Sequence, residues 1–390
     1  MSADDRSSPF RGVSRRKFLQ YCAFLCAVVG AGEVAVPEMA LALAKLAKRP
    51  NVVWSCFGEC LGCSVSLLQN SSPDIPHLVL QQISLDYHEA VMAAAGVQAE
   101  KALADVVSSG DFYWVAEGGI PTKPPEACTI GGRTAGEIAT EIYKNAKASI
   151  ATGNCATNGN VQASAPNPTG TMGVRDWLRT HGTPGATMIQ MARCPGNGED
   201  LVAALAYVLL YGKAPELDAD GRPVFLYGQT VHENCERRAH FENGEFVETY
   251  GDAGSQQGWC LFKIGCKGPV THAPCPKTRW NQRVSWCVHN GPCTGCAETG
   301  FWDRFTPFDR PLEGIELPGI GGVSAPTIGV AVAGAAAVGL AAHAVGQVAT
   351  GRFGHGGPPE SAGPGPGSGG SGNAAAGTPA ANVMKGGDAS

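Results

Sequence analysis

Fifteen cysteines are the residues of this 390-residue chain most able to do chemistry. Most of them fall between Cys56 and Cys296, in short motifs interleaved with glycine and proline. An exported protein can use such cysteines in structural disulfides. Cys-x-x-Cys pairs, however, place two thiolates within reach of one metal or cluster and make a strained short-loop disulfide. The spacing therefore favours metal ligation over disulfides.

Eleven of the cysteines and one histidine form three groups of four along the sequence. The groups are, in chain order, Cys60, Cys63, Cys155 and Cys194; His232, Cys235, Cys260 and Cys266; and Cys275, Cys287, Cys293 and Cys296. Four is the number of ligands that an iron–sulfur cubane takes. The sequence therefore predicts three iron–sulfur sites.

His232 is the most informative single candidate. A lone histidine is more often a surface or core residue, but this one lies three residues before Cys235, with two more cysteines ahead, and this favours ligation. Neutral imidazole in place of one thiolate makes a cluster less negative, which favours its reduced state and raises its potential.

The elements around the first group predict a doubly wound parallel α/β sheet. Strand-like runs at 51–54, 78–80, 112–115 and 148–151 alternate with helical stretches at 88–107 and 135–147. In such sheets ligands sit on loops beyond the carboxyl ends of strands, where Cys60, Cys63 and Cys155 fall. We expect this sheet domain to span 47–210.

The next segment, 211–312, lacks the periodic pattern and is dominated by Gly, Pro, Asn, His and Cys. Because it has few apolar positions for its length, it would need cofactors to hold it folded. We therefore expect an irregular iron–sulfur domain over these residues.

The N-terminal residues 1–46 have the pattern of an export signal with a short junction. The run from Ser14 to Leu19 matches the twin-arginine signal and precedes an apolar core, with small-residue cleavage sites at 40–42 and 42–44. Cys22 and Cys26 belong to this segment and are expected to be removed with it. The prediction is export in the folded state.

The C-terminal residues predict a linker at 313–325, a transmembrane helix at 326–350 and a disordered tail at 351–390. The apolar run is long enough to span a bilayer, although its Ala- and Gly-rich composition also allows a buried helix in a soluble protein. Its one strongly polar ring is His343, for which we expect a role at a membrane partner or in a helix–helix hydrogen bond.

From about residue 50 to residue 310 the chain resembles the small subunits of [NiFe] hydrogenases. The resemblance rests on ECLGC at 59–63, ISLDYHE at 83–89, EGGIP at 117–121, PNPTG at 166–170, HENC at 232–235 and GCKGP at 265–269. It implies a flavodoxin-like domain with a proximal cluster, and a second domain with medial and distal clusters. It also implies a large subunit that holds nickel and iron and splits hydrogen, so no residue of this chain is expected to be catalytic.

Carried over position by position, the resemblance assigns the first group to the proximal cluster, the second to the distal cluster, and Cys275, Cys293 and Cys296 to the medial cluster, for which Cys287 is available as a fourth ligand. Each is expected to be [4Fe-4S]. Many relatives have proline after the tryptophan where this chain has Trp286 and Cys287, and that proline goes with a three-iron medial cluster. The alternative is therefore a [3Fe-4S] medial cluster if Cys287 is not a ligand.

The proximal cluster is expected to be an ordinary cubane. Oxygen-tolerant relatives have two extra cysteines near it, and the matching positions here are Gly62 and Asn160. Cys56 and Cys128 lie in the same domain, and we interpret them as small buried residues rather than as ligands.

The predicted function is therefore electron relay from hydrogen oxidation to a membrane cytochrome b and quinone, at the outer face of the cell membrane. The net charge of −5 argues against a nucleic-acid partner. Two alternatives stay open: a cluster-bearing component of a respiratory NADH dehydrogenase-type complex, which needs only the proximal set, and an exported disulfide-rich binding protein.

Overall fold

The computed structural model describes residues 49–312, except 72, 281–283 and 290, together with 315–317, 321–323, 325–349 and positions 20, 22, 23 and 26. The rest of the predicted signal peptide and junction at 1–46, and the predicted tail at 351–390, lie outside the described residues. The chain divides into two compact units, Met1–Glu313 and Gly314–Ser390.

A five-stranded parallel sheet forms the centre of the first unit. Its strands are β1 (Asn51–Cys56), β2 (Ser84–His88), β3 (Phe112–Glu117), β6 (Ala148–Thr152) and β7 (Ile189–Met191). A small antiparallel pair, β4 (Thr129–Ile130) and β5 (Arg133–Thr134), lies outside it. The order β2-β1-β3-β6-β7, with every neighbouring pair parallel, is that of flavodoxin-like sheets. The predicted doubly wound parallel sheet is thus confirmed.

The helices of this region connect the strands. They are α1 (Gly62–Leu68), α2 (Ile75–His77), α3 (Val97–Ser109), α4 (Ala135–Asn145), α5 (Gly153–Asn158), α6 (Val174–Thr180) and α7 (Gly198–Tyr211). Thr134 and Glu137 form a capping box at the start of α4. Asn197 caps α7, accepting hydrogen bonds from two backbone N–H groups of its first turn.

The two faces of the sheet bury separate cores, because successive side chains of a strand point to opposite faces. Val53, Trp114 and Ala116 pack with apolar residues of α3, α4 and α6. Val52 and Trp54 belong to the other core, which contains α7 and reaches Tyr227, Cys275 and Cys293. Residues beyond 211 therefore share a core with the sheet.

The strand predicted at 78–80 is wrong. Residues Leu78–Gln82 form a helical turn directly after α2, and the strand is the next segment, β2. Pro76 lies in the first turn of α2, and Asp74 caps that turn by accepting the His77 N–H at 3.0 Å. Leu80 is exposed, so the apolar run does not mark a buried strand. The helix predicted from 88 begins only at Val97, because His88 still belongs to β2.

Residues 211–312 are built of short helices and turns. The helices are α8 (Val224–Tyr227), α9 (Arg238–Glu242), α10 (Ala253–Gln256), α11 (Cys275–Thr278), α12 (Trp286–His289) and α13 (Phe301–Phe305). Two small cores, one around Val247 and Leu261 and one around Phe301 and Phe305, accompany the shared core. Among the described residues of this region, five cysteines are buried: Cys260, Cys275, Cys287, Cys293 and Cys296.

The second unit contains an antiparallel pair, β8 (Ile315–Leu317) and β9 (Gly321–Val323), and a helix, α14 (Ala325–Ala349). The pair lies in the segment predicted as a linker. In the part of the chain that the structure describes, no helix is both long and apolar enough to cross a membrane. The transmembrane prediction for 326–350 is therefore not confirmed.

Candidate iron–sulfur sites

The four cysteines predicted as proximal ligands lie together beyond the carboxyl ends of the strands. Cys60 and Cys63 follow β1, Cys155 lies on α5 after β6, and Cys194 follows β7. Burial raises the pKa of the Cys155 thiol to about 12 against a hydrogen bond from Asn160, and the nearby Cys194 and Cys60 add to the shift. Burial also raises the pKa of the Cys63 thiol, and the nearby Cys155 and Cys194 add to that shift. The fold therefore brings all four thiols into one group.

Hydrogen-bond donors surround this group. The Gly196 N–H donates to Cys63 Sγ at 3.2 Å, and the Asn160 side-chain amide donates to Cys155 Sγ at 3.3 Å and to Cys194 Sγ at 3.4 Å. Asn160 has φ 52°, in the left-handed region that asparagine tolerates better than most residues. Donors to cluster sulfurs are one of the means by which a protein sets a cluster's potential.

A glycine makes room for one of these thiols. Gly153 has φ +80°, and a Cβ at this position would lie 2.3 Å from Cys63 Sγ. Any larger residue would occupy the space of the thiol, so the approach of β6 to α1 depends on glycine here.

Glu117 fixes the helix that carries Cys63. Its buried carboxylate, at the end of β3, accepts the Cys63 N–H at 3.0 Å, the Ser64 hydroxyl at 2.5 Å and the Trp54 indole N–H at 3.0 Å. A carboxylate at a helix N-terminus satisfies otherwise unpaired N–H groups. In the sequence Glu117 stands out only as the first residue of the EGGIP motif, and no local pattern predicts this role.

The predicted distal ligands line one small cavity. His232, Cys235, Cys260 and Cys266 all border it, together with apolar residues such as Leu261 and Phe262. The Cys235 N–H donates to the His232 carbonyl at 3.2 Å, so one tight turn presents both side chains. Cys235 Sγ accepts the Arg237 N–H and Cys266 Sγ the Gly268 N–H, each at 3.4 Å.

The His232 ring suits ligation. Burial, and then the nearby Arg238 cation, lower its pKa. A lowered pKa favours the neutral imidazole, which is the form that binds metal. Phe241 packs edge-on against the ring at a centroid distance of 4.6 Å and fixes its orientation.

The predicted medial ligands form the most buried group. Cys275, Cys287 and Cys293 are each 2% exposed and Cys296 is 9% exposed. The Cys275 and Cys293 thiols, together with burial, raise the pKa of the Cys287 thiol. The neighbouring Cys287 thiol lowers the pKa of the Cys275 thiol to about 7 against the opposing effect of burial, and the Arg193 cation contributes. Cys287 therefore lies among the other medial thiols rather than apart from them.

Direct contacts join the three groups in series. The side-chain amide of Asn154, the residue before Cys155, donates to the Cys296 carbonyl at 2.9 Å, which links the medial group to the proximal group. Cys266 Sγ accepts the backbone N–H of Cys293 at 3.4 Å, which links the distal group to the medial group. The medial group thus lies between the other two.

Cys56 and Cys128 lie apart from these groups. Cys56 is buried at the end of β1, and its side chain comes within 4.8 Å of those of His88 and Glu89. Both nitrogens of the His88 ring already have partners, since Nδ1 accepts the Ala90 N–H and Nε2 contacts the Ser64 hydroxyl. Cys128 is half-buried against the core of α3 and α4.

The donor sets fit iron–sulfur clusters. Each consists of four convergent cysteine or histidine side chains. Thiols of the proximal and distal sets accept backbone or side-chain N–H groups, and the medial set is buried. Thiolates are the usual ligands of such clusters, and imidazole replaces them in some. A parallel α/β domain followed by a cysteine-lined segment, with these sets in series, defines an iron–sulfur electron-transfer protein.

Comparison with known families identifies the member of this class. Residues 227–309 match the family formed by the C-terminal domains of NiFe/NiFeSe hydrogenase small subunits, and residues 60–208 match the family of 20 kDa subunits of NADH ubiquinone oxidoreductase. The second match spans only the proximal set. The first spans the other eight donors, which the NADH dehydrogenase alternative does not require, so that alternative is not favoured.

Individual relatives agree. The chain is 45% identical over 301 residues to the periplasmic [NiFe] hydrogenase small subunit 1 of Nitratidesulfovibrio vulgaris, a match covering 76% of this chain and 93% of the relative. It is 40% identical over 308 residues to the quinone-reactive Ni/Fe-hydrogenase small chain of Wolinella succinogenes, covering 77% and 85%. A solved [NiFeSe] hydrogenase chain from Desulfomicrobium baculatum superimposes with a TM-score of 0.63 at 34% identity, covering 68% of this chain and 100% of that one. The chain belongs to the small subunits of [NiFe] hydrogenases, the electron-transfer partners of the large subunits.

Proposed function

We propose that the twelve donors bind three iron–sulfur clusters and that electrons from hydrogen oxidation cross this chain in the order proximal, medial, distal. Such clusters, when bound, take up and release single electrons at potentials set by their surroundings. The observation that carries the proposal is a pair of hydrogen bonds between consecutive groups. Asn154, the neighbour of Cys155, donates to the Cys296 carbonyl, and the Cys293 N–H donates to Cys266 Sγ.

The large subunit is expected to cover the proximal group. Cys60 and Cys194 are exposed in this chain, unlike the medial thiols. A cluster bound by exposed thiolates needs a partner to keep solvent away, and the neighbouring nickel–iron site of the large subunit would supply the electrons. In this arrangement electrons leave the chain from the distal cluster.

A fourth thiolate is available to the medial cluster. The position of Cys287 between Cys275 and Cys293 supports a [4Fe-4S] medial cluster, with a ligand for the iron that a three-thiolate site loses. The medial potential should then be lower than that of a three-iron cluster, which smooths the relay.

Interrupting the middle of the relay tests the order. In the complex with its large subunit, Cys293→Ser should leave the proximal cluster reducible by hydrogen and slow reduction of the distal cluster at least tenfold. Rapid-freeze electron paramagnetic resonance (EPR) after mixing with hydrogen measures both. Distal reduction at the wild-type rate, with the medial cluster lost, would exclude the proposed order.

We propose further that the chain is exported by the twin-arginine route and delivers electrons to a membrane cytochrome b and quinone. The support is the signal motif at 14–19, the absence of Asp, Glu, Lys and Arg from 325–349 in the sequence, and a relative described as quinone-reactive. Truncation before Pro326 should preserve hydrogen-dependent dye reduction and impair quinone reduction. Unimpaired quinone reduction would contradict a role of the C-terminal helix.

A further inference from the structure

Arg193 is a fully buried cation beside the medial group. It follows β7, directly precedes Cys194, and is 0% exposed. Its guanidinium carbon lies 4.0 Å from the centre of the Trp280 ring, and its Nη1 forms an ion pair with the equally buried Asp200. Burying a charge is costly unless its polar atoms are paired, so every N–H of this side chain needs a partner.

Two nitrogens of the Arg193 guanidinium lack a hydrogen-bond partner among the described residues. Within the described part of the chain, Nε and Nη2 of Arg193 have no hydrogen-bond partner, whereas Nη1 reaches Asp200 and, at 3.5 Å, the Thr278 hydroxyl. A buried charged donor without an acceptor has lost its hydration and gained no hydrogen bond in return. The unpaired groups point to an acceptor that arrives with the bound cofactor.

The surroundings identify that acceptor. Thr278 ends the helical turn that begins at Cys275, and the guanidinium interacts with the Cys275 and Cys296 thiols. At the Cys275 thiol the Arg193 cation lowers the pKa and the Asp200 anion raises it, and the effect of Arg193 is the larger of the two. Besides the unpartnered Oδ1 of Asp200, the acceptors available to this guanidinium are the sulfurs of a cluster held by the medial cysteines.

We propose that Arg193 sets the potential of the medial cluster, by placing a buried positive charge beside it and by donating its unpaired N–H groups to cluster sulfur. A reduced cluster carries one more negative charge than an oxidised one, so a nearby cation stabilises the reduced form and raises the potential. This inference rests on the proposed function and adds to it a tuning residue in the middle of the relay.

The charge can be removed without leaving a lone buried anion. The double variant Arg193→Met with Asp200→Asn replaces the ion pair by neutral side chains, and Arg193→Lys keeps the charge but loses the planar fork of donors. Arg175→Met with Asp176→Asn is the matched control, because it removes an ion pair of the same composition on α6. Besides pairing with Asp176, Arg175 donates to the Asp220 carbonyl.

An EPR-monitored redox titration of the complex with its large subunit is the test. At an ambient potential near the wild-type medial midpoint, the Arg193→Met/Asp200→Asn variant should show at least a tenfold lower ratio of reduced to oxidised medial cluster. This ratio corresponds to a shift of about 59 mV for a one-electron couple. Arg193→Lys should show a smaller fall, about threefold, because it loses only the donors. The proximal and distal midpoints, and all midpoints of the control, should stay in place.

The outcomes separate the two proposals. A wild-type complex without a cluster at the medial cysteines contradicts the proposed function. If wild type contains a medial cluster and the Arg193→Met/Asp200→Asn variant has an unchanged midpoint, only the role of Arg193 is overturned. If the Arg193→Met/Asp200→Asn variant does not assemble, Arg193→Lys decides. An unshifted medial midpoint in Arg193→Lys, or loss of its medial cluster, overturns the tuning role.

Discussion

The backbone N–H of Cys293 donates to Sγ of Cys266 at 3.4 Å. Cys293 belongs to the predicted medial set and Cys266 to the distal set, so one hydrogen bond spans the boundary between two candidate clusters. The N–H dipole of a medial residue therefore stabilises negative charge on a distal thiolate.

Cys287 should decide the type of the medial cluster. Cys287→Pro removes the fourth thiolate, and EPR of the oxidised complex should then show a strong three-iron signal that wild type lacks. Cys128→Ala is the control, because Cys128 is a half-buried cysteine apart from the three groups, and it should leave the spectrum unchanged. A stoichiometric three-iron signal in intact wild type would rule out the four-thiolate site.

His232 should raise the distal potential. His232→Cys puts a charged thiolate in place of a neutral imidazole and should lower the ratio of reduced to oxidised distal cluster at least tenfold at the wild-type midpoint. Redox titration with EPR detection measures it, and the medial midpoint serves as the internal reference. An unmoved distal midpoint with full iron content would mean that His232 is not a ligand.

Asn160 should tune the proximal cluster through its two N–H···S bonds. Asn160→Gly removes the amide and accommodates the positive φ, so the proximal potential should fall, with about a threefold lower ratio of reduced to oxidised cluster. Asn167→Gly is the control, since Asn167 also has a positive φ (45°) but bonds to Thr171. Equal shifts in both variants would assign the effect to the backbone.

The paired arginines of the N-terminal segment should direct export. Replacing Arg15 and Arg16 together by Lys should leave the enzyme in the cytoplasm, whereas Arg11→Lys, outside the motif, should not. Cell fractionation with hydrogen-dependent dye reduction as the readout measures the distribution. If the double variant still reaches the outer face of the membrane, the signal assignment fails.

The parallel sheet was predictable because its central strands are continuous apolar runs, such as Val52 to Trp54, between helical patterns. The edge strand β2 was not, because it carries Ser84 and Asp86 and follows an apolar run that instead continues a capped helical turn. An edge strand needs fewer apolar residues than a central one, so hydropathy favoured the wrong segment.

The groups of cysteine and histidine that the structure brings together were predictable from the sequence, but the residues that surround them were not. Arg193 meets Thr278 from 85 positions away and Asn160 meets Cys194 from 34 positions away, and no local pattern marks such pairs. Arg193 had one signal in the sequence, a cation directly before a predicted ligand, and its burial could be known only from the structure.

Acid-labile sulfide in the purified complex tests the central claim most directly, because inorganic sulfide belongs to the clusters and not to cysteine. Three four-iron clusters predict about twelve sulfides per small subunit, and about four should disappear when Cys275 and Cys296 are both replaced by Ser. A wild-type value near zero would fit a disulfide-rich protein, and a value near four would fit a single proximal cluster. Either result would contradict the three-cluster relay.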